Sequence, residues 1–178
     1  MLNTIWMRAL VVPVGAICMF LSSSVHAAAN PFSTSGWQRI EMPASGFSIM
    51  MPGTQRESTK VESTEGGGQT TLHISCFENS AESYCVAYND YPFALDVKAS
   101  LKGVRDHKVG KGTLIAESDI TMSGHPGKVF SAMVDGRLMG VELFISGARL
   151  YQVIYTSSST LTGLTHGTAF IKSFQFTR

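Results

Sequence analysis

From residue 37 onward, apolar residues come in short runs broken by turn-forming residues. WQRIEMP and GFSIMMPG read as two strands, Trp37 to Met42 and Phe47 to Met51. Pro43-Ala44-Ser45-Gly46 forms the turn between them, and Pro52-Gly53 stops the second. QRESTKVESTEGGGQTTLHISCF reads as a polar strand, a turn at Gly66-Gly67-Gly68 and a more apolar strand. The glycine run lacks a Gly-Lys-Ser/Thr ending and no helix follows it, so it is a hairpin tip and not a phosphate loop. Val97, Leu101 and Val104 then recur at i, i+4 and i+7, one face of a helix that Pro92 precedes and Gly110 and Gly112 end. Gly103 inside that helix costs about 1 kcal/mol relative to alanine.

The remainder is strand after strand. TLIAESDITM leads to a turn at SGHPG, KVFSAMVD to a turn at Asp135-Gly136, and RLMGVELFIS to a turn at Gly147-Ala148 before RLYQVIYTSS. Ser-Gly and Asp-Gly at such intervals are hairpin chemistry. STLTGLTHGTAFIKSFQF closes the chain as a short helix with Leu161, Leu164, Phe170 and Ile171, followed by a strand-like tail with Phe174 and Phe176. Strand runs interrupted by two helices predict an α+β fold. The expectation is one antiparallel β-sheet of about six to eight strands flanked by two or more helices.

The first residues have a different composition. Arg8 is followed by the apolar stretch 9–21, then by Ser22 to Ser24 and Ala27 to Ala29. Positive, short apolar and small-residue regions in that order describe a secretory signal. A membrane span needs roughly 20 apolar residues, and this stretch is shorter and interrupted by Pro13. Residues 1–29 are therefore expected to be a cleaved leader, cut after Ala27 or Ala29. Residues 30–36 are then a short flexible segment, and 37–178 a single domain. Ile17 precedes Cys18 where a lipoprotein signal has a small residue, so Cys18 is expected to leave with the leader. The protein would be periplasmic or secreted.

Export changes the reading of the cysteines. Cys76 and Cys85 remain, and in an oxidising compartment an isolated pair reads as a disulfide. A hairpin centred on Ser80 and Ala81 sets the two directly opposite each other, where Cβ atoms stand about 4.5–5.5 Å apart, close to disulfide reach. A redox-active pair and a pair of metal ligands are the rival readings. The eight-residue gap fits neither Cys-x-x-Cys chemistry nor zinc-site spacing. The chain has 14 basic and 13 acidic residues, and the leader takes away Arg8 and no acid. A balanced mature chain offers no electrostatic footprint for nucleic acid.

GFSIMMPG, YCVAYNDYP leading into a helix, RLYQVIY and AFIKSFQF together resemble the PsbP-like superfamily, which includes DcrB-like small exported domains. The similarity is one of pattern along nearly the whole mature chain. It implies an antiparallel sheet flanked by helices and a binding or assembly role without catalysis. No metal-binding or partner-binding residue of that family can be placed on these motifs.

Candidate chemistry is sparse. There is no Gly-x-Ser-x-Gly and no Ser-x-x-Lys. No two of His73, His107, His125 and His166 stand at ligand-pair spacing, and each is read as a surface histidine. No cofactor and no metal is expected. Asp90, before Tyr91-Pro92, is a candidate helix cap or ligand contact. Lys98, Lys102 and Arg105 at i, i+4 and i+7, followed by Lys108 and Lys111, form a basic row. It suits anionic lipid or an acidic partner, or else is a solvated face. The functional expectation is a small exported, monomeric, non-catalytic binding or accessory protein with an unidentified envelope partner. The alternatives are a hydrolase whose Ser and His meet only in the fold, and a peripheral envelope protein held by the basic row. Mass analysis of the mature protein from its native host is expected to show no free thiol and an N-terminus near Ala28 or Asn30. Recovery of Met1 with two titratable thiols would contradict the export reading.

Overall fold

A computed structural model describes residues 34–64 and 68–177. The expected leader, Cys18, most of the 30–36 segment and Gly66-Gly67 lie outside the described residues. The elements are β1 (Gln38–Met42), β2 (Phe47–Met51), β3 (Arg56–Ser63), β4 (Gln69–Glu78), β5 (Glu82–Asp90) and α1 (Val97–Val109). They continue with β6 (Thr113–Met122), β7 (His125–Val134), β8 (Arg137–Ser146) and β9 (Arg149–Ser157). The C-terminal segment is α2 (Thr160–Thr162), one π turn (Gly163–Gly167), α3 (Thr168–Lys172) and β10 (Gln175–Phe176). Seven strands form one antiparallel sheet in the order β3-β4-β5-β9-β8-β7-β6. The α+β expectation holds in outline.

The turns follow backbone chemistry. Ser123-Gly124 and Asp135-Gly136 each have two consecutive positive φ angles, the conformation that a two-residue hairpin of matching twist requires. The first of these turns is shorter than SGHPG. His125 already pairs with Met122, so it opens β7 and does not sit in the turn. The helix starts where Asp96 Oδ1 accepts the Ala99 N–H at 2.8 Å, and it ends at Gly110, whose φ of 51° stops propagation.

Side chains alternate across a strand, and the central strands bury both sets. On one face Leu143, Val141 and Phe130 pack with Leu150 and with Leu101 of α1. On the other, Tyr84, Val86, Phe144, Tyr151, Val153 and Tyr155 meet Phe47, Ile49 and Met51 of β2 and Phe170 and Phe174 of the C-terminal segment. Phe174 stacks on Phe47 and Phe144 at 5.6 and 5.7 Å. The layer over this second face is therefore only partly helical. Its other part is a three-stranded sheet in the order β1-β2-β10, which the sequence had not distinguished from the main sheet. The cause is the burial of β2, whose Phe47, Ile49 and Met51 face the main sheet. Its opposite edge is closed by β10 and by Ser173 Oγ, which accepts the Met50 N–H at 3.0 Å.

Cys76 pairs directly with Cys85 across β4 and β5, with Cα atoms 4.2 Å apart, and the two are joined as a disulfide. The link closes a short hairpin at the flank of a large core. Replacing both cysteines with alanine is expected to lower stability by roughly 2–3 kcal/mol on the chain-entropy estimate while the fold persists. Urea unfolding of wild type and double variant measures this, and equal midpoints would show that the link stabilises nothing.

Candidate functional site

The covering layer does not span the whole second face. Gly163, Gly167 and α3 lie over β8 and β9, leaving β6 and β7 open beside them. Gly167 permits this approach, because a Cβ there would run into the Tyr155 ring. A Cβ at Gly163 would stand 2.9 Å from Leu138 Cδ2. The floor of the open region is a row of small side chains in register across three strands: Ala116 opposite Ser131, and Ser131 opposite Gly140. Small floor residues beside a raised helical wall leave a cleft of about 670 Å³. Val129, Met133, Leu138, Leu164 and Ile171 give it apolar walls. Ile115 at the β6 bulge and Leu164 on the π turn are exposed large apolar residues on its rim.

One carboxyl stands in this cleft. Glu142 lies in the next row, between Val129 and Val153. Its Oε2 is covered and has no hydrogen-bond partner among the described residues. Burial pushes its pKa up to about 7 from an ordinary 4.5, against the opposing pull of Lys172 on the far wall. Tyr155 and Lys172 are further titratable residues lining the cleft; Glu117 of β6 borders it, but its carboxylate is engaged by Arg105 and Lys128 at 3.4 and 3.7 Å.

Behind the Tyr155 ring lies a second polar group. Glu82, 7 % exposed, accepts hydrogen bonds from the hydroxyls of Tyr155 and, at 2.9 Å, Tyr84. His166 Nδ1 stands 3.1 and 3.2 Å from the two Glu82 oxygens. Trp37 packs edge-on against Tyr84 at 5.2 Å and His166 at 5.9 Å. Burial, reinforced by the neighbouring carboxylate, pushes both tyrosine hydroxyls well above the usual range, so both remain donors. The group ties the π turn to β5 and β9. His166 is thus part of a buried network, not the surface histidine expected from its isolation in the sequence.

No protein-family model matches the chain, and no curated protein matches it. Among solved structures, cyanobacterial PsbP (CyanoP) from Synechocystis sp. PCC 6803 superposes with a TM-score of 0.52 at 14% identity. That match covers 79% of this chain and 92% of CyanoP. The chain has a PsbP-like fold. PA94 from Pseudomonas aeruginosa matches at a TM-score of 0.39 and 12% identity, over 75% of this chain and 90% of that one.

Within the PsbP-like fold the sequence candidates fall in several places. Asp90 does not cap the helix, since Asp96 does. Asp90 lies at the end of β5, opposite Arg149, and the two form a bidentate pair at 2.6 and 2.7 Å. The Arg149 hydrogen bond holds the Asp90 carboxyl below its ordinary range. The same guanidinium lies 4.5 Å over the Tyr88 ring and donates to Ser45 O at 2.9 Å, clamping the Pro43–Ser45 turn to the main sheet. In the basic row, Lys102 pairs with Asp106 at 2.7 Å, and Arg105 lies 3.2 Å from Asp106 and 3.4 Å from Glu117. Burial lowers the pKa of Lys108, while Lys98 and Lys111 are exposed. His73 stacks on Tyr88 at 4.6 Å, and His125 packs on Phe176 at 4.5 Å.

Sequence reading passed over Glu142 and Glu82. The available signal was a lone acid inside an apolar run, RLMGVELFIS for the first and SAESYCVAY for the second. Native Glu142 holds its proton up to about 7, whereas the unfolded chain releases it near 4.5, so stability falls as pH rises across that window. Glu142→Gln removes this dependence. The urea midpoint of the variant is expected to rise relative to wild type between pH 4.5 and pH 7.5. A constant difference across that window would show that the carboxyl is not desolvated.

Proposed function

We propose that this chain is a small exported, non-catalytic binding protein whose ligand is an amphiphile, with its hydrocarbon body held in the cleft between β6–β8 and the C-terminal helical segment. The observation that carries the reading is a concave, apolar space of about 670 Å³ lined by Glu142, whose Oε2 is covered and without a hydrogen-bond partner among the described residues. Small-molecule sites have this form: about 300–1,000 Å³, apolar walls and few polar groups. Export is supported by the composition of residues 1–29 and by the Cys76–Cys85 link, which suits an oxidising compartment.

A binding role agrees with the expectation attached to the PsbP-like resemblance. It agrees also with the surroundings of three histidines. His73 and His125 lie against aromatic rings, and His166 against Glu82, which is support for packing duties over hydrolysis. The basic helix face ranks below the cleft as a binding surface, because Lys102 and Arg105 already engage Asp106 and Glu117.

The test is the fluorescence of a neutral apolar reporter, N-phenyl-1-naphthylamine, with the mature chain. Wild type is expected to enhance it saturably. Ser131→Phe, which fills the cleft floor, is expected to weaken binding at least about tenfold while leaving the unfolding free energy from urea denaturation within about 0.5 kcal/mol of wild type. No saturable enhancement, or equal affinity in the filled variant, would overturn the reading.

A further inference from the structure

We infer that the cleft selects an amphiphile with a protonated amine head, and that Glu142 is the residue that reads it. The inference rests on the cleft being the ligand site. Its first ground is the covered Oε2 of Glu142, an acceptor without a donor, placed in the row next to the small-residue floor. A buried polar oxygen is costly until a donor reaches it, and a buried carboxylate is costlier still until a cation does. The second ground is what the protein withholds. Lys128 of β7, opposite Leu143, and Arg105 of α1 lie on the other face of the sheet, where they engage Glu117 and Asp119. Lys172 influences Glu142 from the far wall but forms no ion pair with it among the described residues. The covered Oε2 therefore has an unused acceptor position for an N–H donor that enters with the ligand.

The third ground is the arrangement of the walls. Val129 and Val153 flank Glu142 along its own row, and Ser131 and Gly140 open the adjoining one. Met133, Leu138 and Leu164 extend the apolar lining. A single alkyl chain can lie over the small-residue floor with its ammonium at Glu142. A carboxylate head in the same place would meet like charge in a poorly solvated site. A neutral hydroxyl would donate one hydrogen bond but bring no charge. The expected order is ammonium first, alcohol second and carboxylate last.

Calorimetric titration of the mature chain at pH 8, below micellar concentrations, with decylammonium, decanol and decanoate tests this order. Wild type is expected to bind decylammonium at least about tenfold more tightly than decanol, and decanoate more weakly than either. Glu142→Gln is expected to bring decylammonium down to the affinity of decanol and leave decanol within about twofold. A preference for ammonium that survives in Glu142→Gln, or equal binding of all three by wild type, would overturn the role of Glu142 and leave the cleft standing as an alkyl site. Binding of none of the three would overturn both.

Discussion

The central constraint is that one seven-stranded sheet must be covered on both faces. β8 and β9 carry buried apolar residues on both faces, Leu143 and Leu150 on one and Phe144 and Tyr151 on the other, so neither face can be left in water. On one side α1 answers with Leu101 and Val104. On the other the chain uses its two ends, β1–β2 from the beginning and the helical segment with β10 from the end, joined by β2–β10 pairing. Phe174 lies where they meet, against Phe47, Phe144 and Tyr151. The lid over the second face is thus assembled from residues more than a hundred positions apart, and it forms only when the domain is complete.

The shape of that lid determines where chemistry is available. Tyr155 links the pieces. Its ring receives Gly163 and Gly167, its hydroxyl donates to Glu82, and Glu82 meets His166 on the same π turn. π turns widen a helix by one residue and recur at functional sites. Here the turn places two glycines on the aromatic wall and directs His166 inward, while Leu164 remains on the cleft side. The helical wall is anchored from behind by a polar network, and in front of it the small-residue floor leaves space. Anchor and cleft share Tyr155, whose ring lines the cleft and whose hydroxyl donates to Glu82.

Much of the framework was legible in the sequence because its signals are local. Ser-Gly and Asp-Gly specify their turns through backbone φ, period-2 runs specify strands, and Val97, Leu101 and Val104 specify the helix. The cross-strand placement of Cys76 and Cys85 followed from hairpin symmetry alone. The second sheet was not legible, because GFSIMM looks the same whether it joins the main sheet or lies over it. Asp90 was misplaced for a similar reason. Its partner Arg149 is 59 residues away, while a helix entrance lay close by. The cleft was hidden most completely. Ala116, Ser131 and Gly140 are unremarkable singly and become a floor only when strand register aligns them. Glu142 gains its meaning from what surrounds it, and periodicity says only which face it shares.

The cleft competes with a smaller trough of about 360 Å³ on the same sheet face, where Ser45, Thr59, His73 and Tyr88 line the space beside the clamped turn. Amide chemical-shift mapping of the isotope-labelled mature chain titrated with the neutral naphthylamine reporter separates the two directly. The account predicts the largest shifts at Ala116, Ser131, Gly140, Glu142, Leu164 and Gly167. Shifts centred on Thr59, His73 and Tyr88, or none above the noise anywhere, would contradict it.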